Sequence, residues 1–327
     1  MSSSRALPAF WLKENWLAKA LAPLGAVYGR AMRYRRQQYL DGRRASTQLP
    51  TPILVVGNIF VGGTGKTPLV IWLVEGARQQ GMTPGVILRG YGGTSAGPES
   101  VQHDSDPQTV GDEAVLIAQR TGCAVAIGKD RVAAAQLLID TASPDLIISD
   151  DGLQHYALAR DIEIAVIDGE RGLGNGRCLP AGPLRECPER LKSVDLVIAN
   201  GPATPDSDGS FTLKVSGLQP LSHKIGNVPP VPGNRVHAVA GIGNPQRFFS
   251  ALTHLGFDVI PHRFADHHAF KPTDLQFGDQ RAIIMTEKDA VKCRRFAPLN
   301  SWSLPVMADP EPEMEEKLMA LLASLKD

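Results

Sequence analysis

The stretch GNIFVGGTGKTP at residues 57–68 constrains this chain more than any other part of it, because it follows directly on the apolar run ILVV at 53–56. Glycines free the backbone to turn so that successive N–H groups aim at one anion. A closing Lys-Thr pair adds a charge for the terminal phosphates of a nucleotide and a hydroxyl for Mg²⁺. In this reading Gly62, Gly63, Thr64 and Gly65 form the cradle, Lys66 reaches the β- and γ-phosphates, and the Thr67 hydroxyl joins the metal. The helix that must follow lends its positive end to the same site, and Pro68 is tolerated in its first turn, where N–H groups have no helical partner. Strand, phosphate loop and helix in that order open a parallel α/β sheet. One position departs from the usual G-x-x-x-x-G-K-[ST] spacing. Its first glycine would fall at 60, where the chain has Phe60.

The rest of the chain repeats the rhythm. Strands are expected at 85–88, 124–127, 146–149, 162–167 and 196–199, and helices over 67–80, 112–121 and 130–141. Such alternation predicts a P-loop NTPase-type α/β fold, a mostly parallel sheet with helices on both faces. Residues 201–232, rich in Pro and Gly with one candidate strand at 211–215, read as a linker. Alternation then resumes at 236–242, 245–255, 282–286 and 289–296. The expected organisation is an amphipathic helical arm at 1–50, a nucleotide-binding core at 51–200, the linker, and a smaller C-terminal α/β domain at 233–327. Within the arm, large apolar residues recur every three to four positions from Trp11 to Met32, and Pro23 is expected to divide the run into two helices.

Composition narrows the partners. The net charge of +0 argues against broad nucleic-acid binding. It conceals an arm of net +7, nine Lys and Arg (Arg5 among them) against Glu14 and Asp41, balanced by −7 in the remainder. The longest uncharged run in the arm spans 20–29, well short of the roughly 20 apolar residues of a membrane-crossing helix. Lys13 and Glu14 interrupt the early apolar stretch, which does not read as a signal peptide. Four scattered cysteines with no CxxC pair fit thiols in a reducing compartment.

A second carboxylate element supports the nucleotide site. The run PDLIISDD at 144–151 is an apolar strand ending in paired aspartates, so Asp150 or Asp151 is expected to hold Mg²⁺ directly or through water. Guanine readers carry an N/T-K-x-D tetrapeptide after a late strand. Here the strand at 196–199 runs into Asn200-Gly201-Pro202, and Thr286-Glu287-Lys288-Asp289 has its lysine one place late. ATP is the expected nucleotide. The GGTGKT core also resembles the loop of MinD- and ParA-like ATPases, although Val61 replaces their signature lysine; a membrane-associated ATPase of that kind is the alternative reading.

Eight segments in order resemble one family, the tetraacyldisaccharide 4′-kinases of lipid A biosynthesis: GNIFVGGTGKTP (57–68), ILRGYGG (87–93), VGDEA (110–114), DDGLQH (150–155), GPLRE (182–186), GIGNPQRFF (241–249), FADHHAF (264–270) and TEKDAVK (286–292). Tyr156 and Ala157 depart from it, where more basic residues are expected. The resemblance implies transfer of the ATP γ-phosphoryl to the 4′-hydroxyl of a tetraacylated disaccharide 1-phosphate. It also implies a peripheral position on an anionic membrane, the cytoplasmic face of a bacterial inner membrane, with no obligate protein partner evident. Asp112 is then the expected base, acting with His267. Arg185 would stabilise the transferring phosphoryl group, Glu186 would be a further metal or nucleotide contact, and Arg89 and Tyr91 would line the acceptor side. The basic arm, with Trp11 and Trp16, would rest on the membrane.

Overall fold

The computed structural model describes residues 8–222 and 228–326. Arg5 of the basic arm and residues 223–227 of the expected linker lie outside the described residues. The chain opens with α1 (Ala9–Leu12) and α2 (Trp16–Leu40). The core follows as β1 (Ile53–Gly57), α3 (Lys66–Gln79), β2 (Pro84–Leu88), β3 (Glu99–Val101), α4 (Pro107–Val110), α5 (Asp112–Thr121), β4 (Ala124–Ile127), α6 (Arg131–Ala142), β5 (Leu146–Asp150), β6 (Ile162–Asp168), β7 (Leu196–Asn200) and β8 (Gly209–Val215). A second lobe contains β9 (Gln219–Pro220), β10 (Arg235–Ala240), α7 (Pro245–His254), β11 (Asp258–Arg263), β12 (Ile283–Thr286), α8 (Glu287–Cys293) and β13 (Ser301–Leu304), before β14 (Val306–Pro310) and α9 (Pro312–Ala323).

The first sheet has nine strands in the order β14-β8-β7-β6-β1-β5-β2-β4-β3. Every residue of β1, β2, β5, β6 and β7 is buried, as a parallel sheet covered on both faces requires. One face packs on α3, α5 and α9, the other on α6 and the loops around Leu153 and Leu184. The C-terminal ends of β1, β5, β6 and β7 lie side by side, with Val56 opposite Asp150 and Asp168 opposite Asn200. That edge is where ligands collect in open α/β sheets. The second sheet, β11-β10-β12-β13-β9, has its own core on each face.

Three boundaries differ from the sequence reading. The expected linker contains β8, a strand of the first sheet, and β9, a strand of the second. The expected C-terminal domain stops at β13: β14 pairs antiparallel with β8, from Val306 opposite Val215 to Pro310 opposite Phe211, and α9 buries Met314, Leu318 and Leu322 in the first core. Only Pro305 separates the two sheets at that crossing. Both differences are long-range pairings, which local composition does not encode.

The third concerns Pro23, which does not divide the arm. Pro23 lies inside α2, and the break falls at residues 13–15, where the Asn15 side chain caps α2 by accepting from the Ala18 N–H. Pro23 and Lys19 are both exposed, so water can satisfy the Lys19 carbonyl that the proline leaves unpaired. Helical spacing places Ala18, Gly25 and Gly29 on one face, which is buried. A Cβ on Gly29 would lie 2.7 Å from the Cys187 Sγ, so this helix reaches its loop only through glycine. The opposite face exposes Trp16, Leu24, Val27 and Tyr34. Trp11, expected beside Trp16 at a membrane, is half-buried and donates its Nε1–H to the Pro180 carbonyl at 3.0 Å. Among the described residues no helix is long and apolar enough to cross a membrane.

Candidate active site

The phosphate loop takes the expected place, leaving β1 and entering α3 at Lys66. Gly62 and Gly65 have φ of 105° and 79°, the left-handed side that L-residues avoid. At Gly65 space is limiting too, since a Cβ there would stand 2.1 Å from the Asn200 Nδ2. Asn200 donates to the Thr64 carbonyl at 3.0 Å, and Asn58 donates to the Thr64 hydroxyl at 3.2 Å. The loop is therefore fixed from the sheet below it. Phe60 is buried and bridges Leu184, while Val61 N–H donates to the Pro183 carbonyl and Arg185 N–H to the Ile59 carbonyl. These bonds stitch residues 182–186 to the entry of the phosphate loop and bring Arg185 to it.

Lys66 Nζ lies 3.3 Å from Asp151 Oδ1, and Arg185 Nη1 contacts both Asp151 oxygens at 3.2 and 3.0 Å. Asp151 has φ of 52°, a strained conformation of the kind found at functional sites. Burial would raise its pKa, but Lys66 and Arg185 outweigh it and hold the carboxyl at about 2. Asp150 behaves oppositely. Burial first, with the charges of Glu113 and Asp151 added against Lys66, pushes it to about 7. Its Oδ1 is buried without a hydrogen-bond partner. An orphaned, destabilised carboxylate at the strand edge from which the phosphate loop leaves fits a divalent cation. Asp150, Asp151 and Thr67 are the residues that would hold one. Among the described residues no cluster of three or more His, Cys, Asp or Glu could bind a metal unaided. Glu186 is 4% exposed, and its oxygens accept from Gln154 Nε2 at 2.8 Å and from the Tyr156 hydroxyl, so here it orders this loop.

The second lobe supplies the other half. His267 Nδ1 stands 3.3 Å from Asp112 Oδ2. The contact has ion-pair distance without hydrogen-bond alignment, for Nδ1 is buried with no hydrogen-bond partner. Catalytic contacts are often loose before substrate binds. Lys288 Nζ sits 3.2 Å from His267 Nε2, which makes Nε2 the acceptor and puts the ring proton on Nδ1, facing Asp112. His267 has φ of 57°, and Tyr91 packs edge-on against its ring at 4.9 Å. Asp112 is 4% exposed at the start of α5; its Oδ1 accepts the Glu113 N–H at 2.9 Å and Lys292 approaches Oδ2 at 3.6 Å. Burial acts to raise its pKa, but His267, Lys288 and Lys292 together leave it lowered, so Asp112 is ionised at neutral pH. Salt bridges Lys288–Glu113 and Arg120–Glu287 run along the same contact between lobes.

Arg89 and Tyr91 are exposed on the loop after β2. Two residues escaped sequence reasoning. Lys292 sits one helical turn beyond Lys288 in the TEKDAVK segment. Arg131 is 3% exposed, donates from Nη1 to the Gly128 carbonyl at 2.6 Å and leaves Nε unpartnered. Burial lowers its pKa to about 10 against the charges of Asp151 and Asp150. The Asp-Arg pair at 130–131 reads in sequence only as a helix start.

A phosphate loop with carboxylates and an arginine at the C-terminal edge of a parallel sheet, faced by a histidine from a second lobe, defines a two-lobed P-loop protein. Residues 17–323 match the family described as tetraacyldisaccharide-1-P 4′-kinase. A tetraacyldisaccharide 4′-kinase of Alkalilimnicola ehrlichii is 56% identical over 98% of this chain and 97% of its own length. One of Pseudomonas fluorescens is 48% identical over 98% of each. The crystal structure of LpxK from Aquifex aeolicus in complex with ATP superimposes with a TM-score of 0.79 at 26% identity, covering 95% of this chain and all of that one. The chain belongs to the tetraacyldisaccharide 4′-kinase family.

Proposed function

We propose that this chain transfers the γ-phosphoryl of ATP to the 4′-hydroxyl of tetraacyldisaccharide 1-phosphate at the cytoplasmic face of a bacterial inner membrane. The observation that carries this reading is the Asp112–His267 contact, made by residues of different lobes. Gly62, Gly63, Thr64, Gly65 and Lys66 bind the phosphates of ATP. Thr67, Asp150 and Asp151 would hold Mg²⁺, which would neutralise charge on the phosphate oxygens. Lys66 and Arg185 now share Asp151, and nucleotide phosphates compete for both cations. Arg185 then faces charge developing on the transferred group.

Asp112 accepts the proton of the sugar hydroxyl, and His267 orients that carboxylate. A carboxylate of lowered pKa suffices, because the transition state of phosphoryl transfer is loose and the hydroxyl gives up its proton late. Arg89 and Tyr91 line the acceptor side. The exposed Trp16, Leu24, Val27 and Tyr34 face of α2, with exposed Arg30 and Arg33, rests on anionic lipid and meets an acceptor whose acyl chains stay in the bilayer. The test is the product. Incubation of the chain with ATP, Mg²⁺ and the tetraacyl disaccharide 1-phosphate is expected to add one phosphate at the 4′ position by mass spectrometry and NMR. A product phosphorylated elsewhere refutes the acceptor assignment.

A further inference from the structure

Phe60, the residue that breaks the usual phosphate-loop spacing, has a partner. The Arg171 guanidinium lies over its ring with Cζ 5.2 Å from the centroid. Arg171 Nη2 donates to the Gly63 carbonyl and, at 2.8 Å, to Asp168 Oδ2. A trans peptide points its N–H opposite its C=O. Holding the Gly63 carbonyl toward Arg171 therefore fixes the direction of the Thr64 N–H, as Asn200 fixes the Gly65 N–H by holding the Thr64 carbonyl. Two successive donors of the cradle are thus aimed before any nucleotide arrives.

Asp168 ends β6, is 3% exposed, and accepts the N–H groups of Glu170 and Arg171 at 3.1 and 3.0 Å. Arg247, from the first turn of α7 in the second lobe, reaches the same Asp168 Oδ2 at 3.7 Å and Glu170 at 3.4 Å. One buried carboxylate thus serves an arginine that reaches the phosphate loop and an arginine of the other lobe. Burial pushes the Asp168 pKa up, and Arg171 with Arg247 more than reverses it, so the carboxylate carries its charge.

We propose that Arg171 is a positioning residue for the phosphate loop and that Asp168 links it to the second lobe through Arg247, coupling nucleotide affinity to lobe position. This rests on the reading of residues 62–67 as the ATP site. A charge-assisted hydrogen bond is worth enough for its loss to weaken binding about tenfold. Among the described residues the ion pairs of Arg247 are with Asp168 and Glu170 and none is with the phosphate loop; Asp168 is the partner it shares with Arg171 and carries its effect there.

The experiment measures equilibrium binding of ATP with Mg²⁺, together with KM for each substrate, in the full chain carrying R171A, R171Q, R171K, R247A, R171A/R247A and K66A. R171A is expected to raise the ATP dissociation constant about tenfold with the acceptor KM unmoved, and R171K to recover part of that loss. R247A is expected to raise it about threefold, and R171A/R247A to raise it no further than R171A alone. Thermal melting identifies any variant that fails to fold, and R171Q replaces R171A in that case. Wild-type ATP affinity in the folded Arg171 variants overturns the positioning role. Wild-type affinity in R247A, or a multiplicative double variant, overturns the link between lobes. K66A separates the layers: if it loses ATP while the arginine variants do not, this inference alone fails, and if it binds ATP normally the nucleotide site itself is misassigned.

Discussion

Replacing Asp112 by Asn keeps the shape of the side chain and removes its basicity. Oδ1 can still accept the Glu113 N–H, now held at 2.9 Å, and Lys292 keeps Asp289 at 2.8 Å. What disappears is the charge facing His267 Nδ1 at 3.3 Å and Lys292 at 3.6 Å. Loss of a general base lowers kcat by about 10²–10⁴-fold. Loss of one charge-assisted contact costs about 1–3 kcal/mol of stability, a fall in Tm of several degrees for a protein of this size. The pH dependence has a definite sign. The folded pKa of Asp112 is depressed, so its stabilisation is present above the ordinary carboxylate pKa and lost as pH falls through the depressed value. The Tm difference between wild type and D112N should therefore be full at pH 7 and shrink in acid. Steady-state kinetics with both substrates, and melting from pH 3 to 8, test this. The ATP KM should stay near wild type, because Asp112 is no phosphate ligand. H267A should impair the same step, with the double variant less impaired than the product of the single losses. A kcat within threefold of wild type, or an intact kcat with a large rise in ATP KM, would refute the assignment.

Lys66→Ala is expected to cut turnover at least a hundredfold, since this transfer depends on electrostatic stabilisation; near-normal turnover would contradict it. Gly65→Ala should abolish ATP binding while the fold survives, because its Cβ would meet the Asn200 Nδ2 at 2.1 Å and its φ is 79°; isothermal titration calorimetry is the readout. Asp150 has a raised folded pKa near 7, so its contribution is full below about pH 4 and lost as pH rises through 7. Without metal or nucleotide, inactive D150N should melt above wild type at pH 8, and the gap should narrow toward pH 4. Reversing Arg30 and Arg33 to Glu should weaken binding to anionic vesicles at least tenfold, at about 1 kcal/mol for each basic residue near the surface. Equal binding by that variant would leave α2 an ordinary packed helix.

Local signals placed the nucleotide half of the site. The glycines of the loop, Lys66 and Asp150 follow from what a phosphate cradle demands of consecutive residues, and a buried parallel strand is visible as an unbroken apolar run. The Asp112–His267 pair spans 155 positions, the difference between the residue numbers. Only the family resemblance joined the two; taken alone, Asp112 reads as a helix-starting carboxylate. The return of β14 and α9 to the first sheet was hidden for the same reason, because pairing with β8 depends on register between distant segments. Charge partners were the least legible. Nothing local announces that Arg171 rests on Phe60, that Arg131 is buried, or that Glu186 is taken by Tyr156 and Gln154.

The central claim is phosphoryl transfer to a lipid-linked hydroxyl rather than to water. The direct measurement follows γ-labelled ATP in the presence and absence of the tetraacyl disaccharide 1-phosphate, counting label in lipid and in inorganic phosphate. The predicted result is label in the lipid, with inorganic phosphate near background whether or not acceptor is present. Release of inorganic phosphate at the same rate without acceptor, and no labelled lipid, would mark a membrane-associated ATPase instead.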